Sequence, residues 1–162
     1  MTVPIIAVMA ATRQGVIGNS GRLPWHYPQE LKHFQDVTRD QVIIMGRKTY
    51  DSMPEKLLLN RTAIVMSRNK NLTLKHAYVA HSLDQCLSYI NSLDDCKKAF
   101  AIGGSQIIEL FLSHNLISSF ILTIIKKSYS GDTFIDLNPL KTWQKSILFD
   151  CDNYTVYELT KS

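Results

Sequence analysis

Ile5-Ile6-Ala7-Val8-Met9-Ala10-Ala11 is an unbroken apolar run of strand length, entered from Pro4 and left through a glycine-bearing stretch. A short apolar run that does not alternate with polar residues reads as a strand buried on both faces, the habit of a parallel sheet covered by helices. The pattern returns in Val42-Ile43-Ile44-Met45, Ala63-Ile64-Val65-Met66, Ala99-Phe100-Ala101-Ile102 and Phe120-Ile121-Leu122-Thr123-Ile124-Ile125. Helical patterns fall between these runs. Gln29 to Thr38 follows Pro28, a residue suited to a first helical turn. Ser82 to Leu93 opens on Ser-Leu-Asp-Gln, where the Ser82 hydroxyl and Gln85 amide form a capping box. Ser105 to Leu116 follows Gly103-Gly104 and carries Ile107, Ile108, Leu110 and Phe111 around a mostly buried helix. Gln144 to Phe149 and Tyr154 to Leu159 flank a Cys151-Asp152-Asn153 turn and predict an antiparallel hairpin.

These patterns predict an α/β fold: one domain over residues 1–162 with a central, mostly parallel twisted sheet. About eight strands, ending in the C-terminal antiparallel hairpin, are expected, flanked by about four helices. A chain of this length buries ~70% of its extended-chain surface. Its 45% hydrophobic and 20% charged residues are the balance of a globular protein and exclude a disordered or fibrous one. No apolar run approaches the roughly 18 residues needed to cross a bilayer, and Met1-Thr2-Val3-Pro4 lacks a basic leader. A cytoplasmic protein is expected. Its three cysteines, Cys86, Cys96 and Cys151, are odd in number and widely spaced, which fits reduced thiols. No metal site is expected, because no His cluster accompanies them. The net charge of +4 favours an anionic partner. The basic residues lie in short dispersed groups, so a small polyanion fits better than nucleic acid or a membrane surface.

The stretch from Thr12 to Pro28 holds Gly15, Gly18, Gly21, Pro24 and Pro28 and is expected to be a long irregular loop. Following a central strand, it is placed to be the lid of a site at the strands' carboxyl ends. Glu30 then stands in a first helical turn beside Leu31 and near Phe34. Alone it reads more often as a solvated first-turn residue favoured by the helix dipole. Met45-Gly46-Arg47-Lys48-Thr49 puts a glycine, two cations and a hydroxyl after a buried strand, and Met66-Ser67-Arg68 repeats the arrangement. Ile102-Gly103-Gly104-Ser105 opens a helix with backbone that can approach a pyrophosphate closely. Singly, each is also what an ordinary strand-to-helix turn looks like. The G-x-G-x-x-G fingerprint and the Walker A motif are both absent, so neither explains the set.

Taken in order, Val16-Ile17-Gly18, Leu23-Pro24-Trp25 with Glu30 following, Ile44 to Thr49, Ser67-Arg68, Ile102-Gly103-Gly104 and Gly131-Asp132-Thr133 resemble dihydrofolate reductases of the bacterial chromosomal type over essentially the whole chain. The resemblance implies an NADPH-dependent oxidoreductase that reduces 7,8-dihydrofolate to tetrahydrofolate for one-carbon metabolism. Hydride would go to pterin C6 and a proton to N5. It implies that Glu30 holds the pterin, that the Thr123 hydroxyl sits on this carboxylate, and that Trp25 helps hold an ordered water. Ile6, Val8, Leu31, Phe34, Met53, Leu58 and Ile102 would line the substrate site, with Arg61 on the α-carboxylate of the glutamate tail. Cofactor contacts would come from Val8, Ile17, Gly18, Leu23, Gly46, Arg47, Lys48, Thr49, Ile102, Gly103, Gly104, Ser105, Gln106 and Ile107. Ser67 and Arg68 match the site of the adenosine 2'-phosphate, which predicts NADPH over NADH. Ile108 departs from the family by standing where a tyrosine often approaches the nicotinamide. The resemblance also implies a monomer that takes antifolate inhibitors in the substrate site. Two other readings compete: a related reductase of another pterin or pyrimidine, which Glu30 with Trp25 disfavours, and a basic binding domain on the same scaffold, which would show salt-dependent oligonucleotide binding.

Overall fold

A computed structural model describes residues 2–96 and 98–161 of the chain. Its main sheet has eight strands in the order β5-β4-β3-β6-β1-β7-β10-β9. The strands are β1 (Ile5–Thr12), β3 (Val42–Gly46), β4 (Thr62–Met66), β5 (Ala77–Ala80), β6 (Ala99–Gly103), β7 (Ile117–Ile125), β9 (Gln144–Asp150) and β10 (Tyr154–Thr160). Two short strands, β2 (Val16–Gly18) and β8 (Thr133–Phe134), make a separate antiparallel pair. The opening apolar run is central: β1 pairs in parallel with β6 on one side and β7 on the other. Only β10 runs antiparallel to its neighbours β7 and β9, which makes the expected hairpin.

Period-2 alternation divides the sheet's two faces. Ile5, Ala7 and Ala11 of β1, Val42 and Ile44 of β3, Ala99 and Ala101 of β6, and Phe120 and Leu122 of β7 join one core cluster. That face is covered by α4 (Leu83–Ser92) and α5 (Ser105–Ser113), through Cys86, Ile90, Ile108 and Phe111. Val8, Ile43, Met45, Ala63, Val65 and Phe100 form the core of the opposite face. There α1 (Pro28–Thr38) contributes Phe34 and Val37, α2 (Arg47–Ser52) Tyr50, and α3 (Glu55–Leu59) the buried Leu58. Both faces are therefore shielded, as continuous apolar strands require.

The structure corrects several expectations. The edge strand β5, Ala77-Tyr78-Val79-Ala80, is not singled out by the sequence patterns; Tyr78 is 36% exposed there between half-buried neighbours. Helix α5 ends at Ser113 rather than Leu116, since Asn115 adopts the left-handed conformation (φ 56°) that turns the chain into β7. In the α4 cap, Ser82 Oγ accepts the Gln85 N–H at 3.1 Å, but Gln85 Oε1 accepts from the His81 N–H, one residue earlier than the capping box requires. The stretch 12–28 is not wholly irregular: β2 pairs with β8, and Asn19 and Arg22 exchange backbone hydrogen bonds across a Ser20-Gly21 turn. Among the described residues no helix is long and apolar enough to cross a membrane, and the three cysteines are unbridged.

Candidate active site

The site forms on the α1 face of the sheet, at the carboxyl ends of the central strands. The alternation that buries Val8 also turns Ile6, Ile102 and Ile121 to this face, where they pack with Phe34, Met53 and Leu58. Six of the residues expected to line a substrate site are thus brought together: Ile6, Val8, Phe34, Met53, Leu58 and Ile102. Leu31 is not among them; it lies on α1 at 42% exposure. Thr123 is buried at 2% exposure, opposite Ala10 of β1 and Val156 of β10.

Glu30 occupies the first turn of α1, its N–H donating to the Tyr27 carbonyl at 3.0 Å. Burial raises its pKa above the usual carboxylate range, because the apolar surroundings penalise the ionised form, while the hydrogen bond with Thr123 acts in the opposite direction. Burial also raises the Tyr154 phenol, with the neighbouring Cys151 and Glu30 adding to it. Tyr154 therefore belongs to the carboxylate's surroundings, and nothing near Glu30 in the sequence marks it. Trp25 is 5% exposed and packs with Ile125, Tyr154 and Val156. Its Nε1 is the one buried side-chain polar atom among the described residues with no hydrogen-bond partner. A buried donor of this kind suits a ligand or a bound water.

The three strand-end motifs converge. A Cβ on Gly46 would meet Ile107 Cγ1 at 3.4 Å, which joins the end of β3 to the first turn of α5. A Cβ on Gly103 would meet Met9 Cε at 3.4 Å and lie 3.9 Å from Thr49 Oγ1. Gly103 also has φ +127°, a conformation that side chains rarely adopt. Ser105 is half-buried, whereas Arg47, Lys48, Arg68 and Gln106 are exposed, and the Arg47 cation is shared with Asp51 at 2.9 Å. The Ser67 hydroxyl accepts the Asn69 N–H at 3.2 Å. Its carbonyl lies 3.0 Å from His81 Nδ1, a neighbour that comes from the end of β5 and that strand-by-strand reading missed.

Arg61 is pinned from three sides: Nε donates to Thr38 Oγ1 at 3.1 Å, and its terminal nitrogens donate to the Leu57 and Gln35 carbonyls at 3.2 and 2.7 Å. A guanidinium carries five N–H donors, so one on each terminal nitrogen remains beyond these bonds. Ile108, at 0% exposure, belongs to the core beneath α5 on the face away from Glu30.

The stretch after β1 is fastened next to the site. Asp132 Oδ2 accepts the Ser20 N–H at 3.0 Å, and the Asn19 amide donates to the Ser130 carbonyl at 3.3 Å. A Cβ on Gly131 would collide with the Gly18 carbonyl and the Val16 side chain, so this contact needs glycine. Gly18 lies in the pairing itself and Ile17 at the irregularity between the paired Val16 and Gly18, and Leu23 just beyond is 53% exposed.

Known proteins resemble this chain in sequence and in fold. The family model described as dihydrofolate reductase matches residues 4–156. A dihydrofolate reductase of Enterococcus faecium is 35% identical over 131 residues, covering 80% of this chain and 76% of the relative. The type 8 dihydrofolate reductase of Escherichia coli is 33% identical over 167 residues, with 96% and 94% covered. The solved dihydrofolate reductase of Enterococcus faecalis, complexed with NADP(H) and RAB-propyl, superposes with a TM-score of 0.75 at 29% identity over 99% of this chain and 97% of that one. With the family model spanning nearly the whole sheet and full-length relatives agreeing in sequence and fold, the chain belongs to the dihydrofolate reductase family.

Proposed function

We propose that this chain reduces 7,8-dihydrofolate to 5,6,7,8-tetrahydrofolate with NADPH, acting as a monomer in the cytoplasm. The observation that carries this reading is Glu30: a carboxylate on the apolar α1 face whose affinity for a proton is raised by burial. Such a group binds the pterin ring nitrogen and exocyclic amine, and favours protonation at N5 either by delivering the proton or by polarising the ring while water delivers it. Thr123 orients the carboxylate, and the unpartnered Trp25 Nε1 supports a role in holding a water beside the ring. NADPH, when bound, supplies the hydride for C6. The residues fit it: the space where a Cβ would stand is open at Gly104, Gly103 is packed beside Met9 and Thr49, and Gly46 leads into the exposed Arg47 and Lys48. Ser67 and Arg68 would take the 2'-phosphate. Val8, Ile17, Gly18, Leu23, Ile102, Ser105, Gln106 and Ile107 would complete the cofactor surface. Ile6, Leu31, Phe34, Met53 and Leu58 would wall the benzoyl channel, which an antifolate would share, and the remaining Arg61 donors would grip the tail carboxylate.

The test is the loss of reduced-nicotinamide absorbance when protein, NADPH and dihydrofolate are mixed. Loss that requires dihydrofolate and is faster with NADPH than with NADH is expected. A folded protein that binds NADPH but leaves dihydrofolate unreduced would overturn the assignment.

A further inference from the structure

Five aromatic residues form a chain of ring contacts beside Glu30. Trp25 meets Tyr129 with centroids 5.8 Å apart, Tyr27 meets Tyr154 at 5.9 Å, and Phe149 meets Tyr154 at 6.0 Å. The link between the two halves is a hydrogen bond, Tyr27 hydroxyl to Tyr129 hydroxyl, at 2.9 Å. Each end of that bond is tied to a different part of the site. Tyr27 is the residue before α1, and its carbonyl accepts the N–H groups of both Glu30 and Leu31, at 3.0 and 3.2 Å. Tyr129 precedes Ser130, Gly131 and Asp132, the residues that hold the stretch around Gly18 to Ser20, and its ring lies against Trp25.

We propose that the Tyr27–Tyr129 hydrogen bond is a clasp that sets the lid-anchoring segment 126–132 in register with the helix carrying Glu30, making both tyrosines positioning residues for hydride transfer. This rests on the reading of Glu30 as the pterin carboxylate. Neither phenol touches the reacting atoms; they act by fixing Trp25 and the first turn of α1. The bond persists over the working pH range, because the hydrogen bond to Tyr129, and then burial, push the Tyr27 phenol up to about 12. The other titratable groups around the pair are Cys151 and Tyr154 from the hairpin and Lys127, whose ammonium sits 5.4 Å from the Tyr129 ring centroid.

The test compares Tyr27→Phe, Tyr129→Phe and the double variant in single-turnover reduction of dihydrofolate across a range of pH, with NADPH affinity measured alongside. Phenylalanine keeps the ring contacts and removes only the shared bond. Each single variant is expected to slow hydride transfer by about fivefold to tenfold and to displace the pH midpoint of the rate, with NADPH affinity changed by less than the rate. The double variant should be no slower than either single, because one bond is lost in all three. Wild-type rates and pH midpoints in both single variants, or losses that multiply in the double, would overturn the clasp. Amide exchange tells the failures apart. If the wild-type protein does not reduce dihydrofolate, the functional reading fails. The clasp still requires faster exchange in Tyr129→Phe at both residues 16–22 and the Glu30 and Leu31 amides, and unchanged exchange at α1 would overturn it.

Discussion

In the proposed reaction Glu30 must be buried enough to prefer a proton and still reach the pterin. Its pKa in the folded chain lies above the unfolded value, since burial outweighs the Thr123 hydrogen bond. The ionised form therefore costs stability: the contribution of Glu30 is fully present below the ordinary carboxylate range and is lost as pH rises through the raised value. Glu30→Gln is expected to reduce turnover by about 10²-fold or more above neutral pH, while NADPH binding is kept. Its thermal midpoint should equal or exceed the wild type's at alkaline pH, with the advantage vanishing in acid. Melting curves and pH–rate profiles check both. At the proposed cofactor end, Arg68 is an exposed cation beside the half-buried Ser67. Arg68→Ala should weaken NADPH by about tenfold, as expected for loss of a charge-assisted hydrogen bond, and leave NADH nearly unaffected. Equal losses in titrations of both cofactors would remove the 2'-phosphate from this position.

The β2–β8 pair is a small element held by few contacts, which places it among the parts of the molecule that open most readily. Asp132 fastens it from an exposed position, and the Ser20 N–H, followed by the Thr133 hydroxyl, holds its carboxyl below the usual range. A depressed pKa means that the fastening is present above the ordinary carboxylate range and is lost as pH falls through the lowered value. Asp132→Asn should speed amide exchange of residues 16–22 without altering exchange in β6. Gly131→Ala should do so more strongly, because its Cβ meets backbone at Gly18 that cannot move aside independently of the strand. Identical exchange in the two variants and the wild type would mean that the pair is held elsewhere.

At the scale of the whole molecule, the sheet separates two tasks. One face, under α4 and α5, is core; the other, under α1, α2 and α3, brings the site residues together. Because the site draws on the ends of β1, β3, β4, β6 and β7, ligand binding should stabilise the fold as a unit. NADPH at a hundred times its dissociation constant adds about 2.7 kcal/mol, which should raise the thermal midpoint by roughly 5 to 10 °C. NADH at the same concentration should raise it less, and equal shifts in a thermal-melt comparison would count against a 2'-phosphate site.

The amino-acid sequence by itself determined the central strands, the C-terminal hairpin and the family motifs. Each is written in a run of neighbouring residues: apolar strands buried on both faces, glycines at strand ends, and Glu30 after Pro-Trp. Tertiary structure alone decided what lies next to what. The approach of Thr123 to Glu30, expected only through the family resemblance, depends on strands β1 and β7 pairing across more than a hundred residues, and the register Ala10 to Thr123 appears in no local pattern. Tyr154, His81 and the Tyr27–Tyr129 bond were hidden for the same reason, since their partners come from distant segments. Sheet alternation also decided which residues share the site's face, placing Ile6, Val8 and Ile102 toward α1 and Ile108 in the core beneath α5. The short strand β2 escaped sequence reading because it is held by Gly131 and Asp132 from the far end of the chain, and its Val16-Ile17 pair is too short to stand out among Gly15, Gly18 and Gly21.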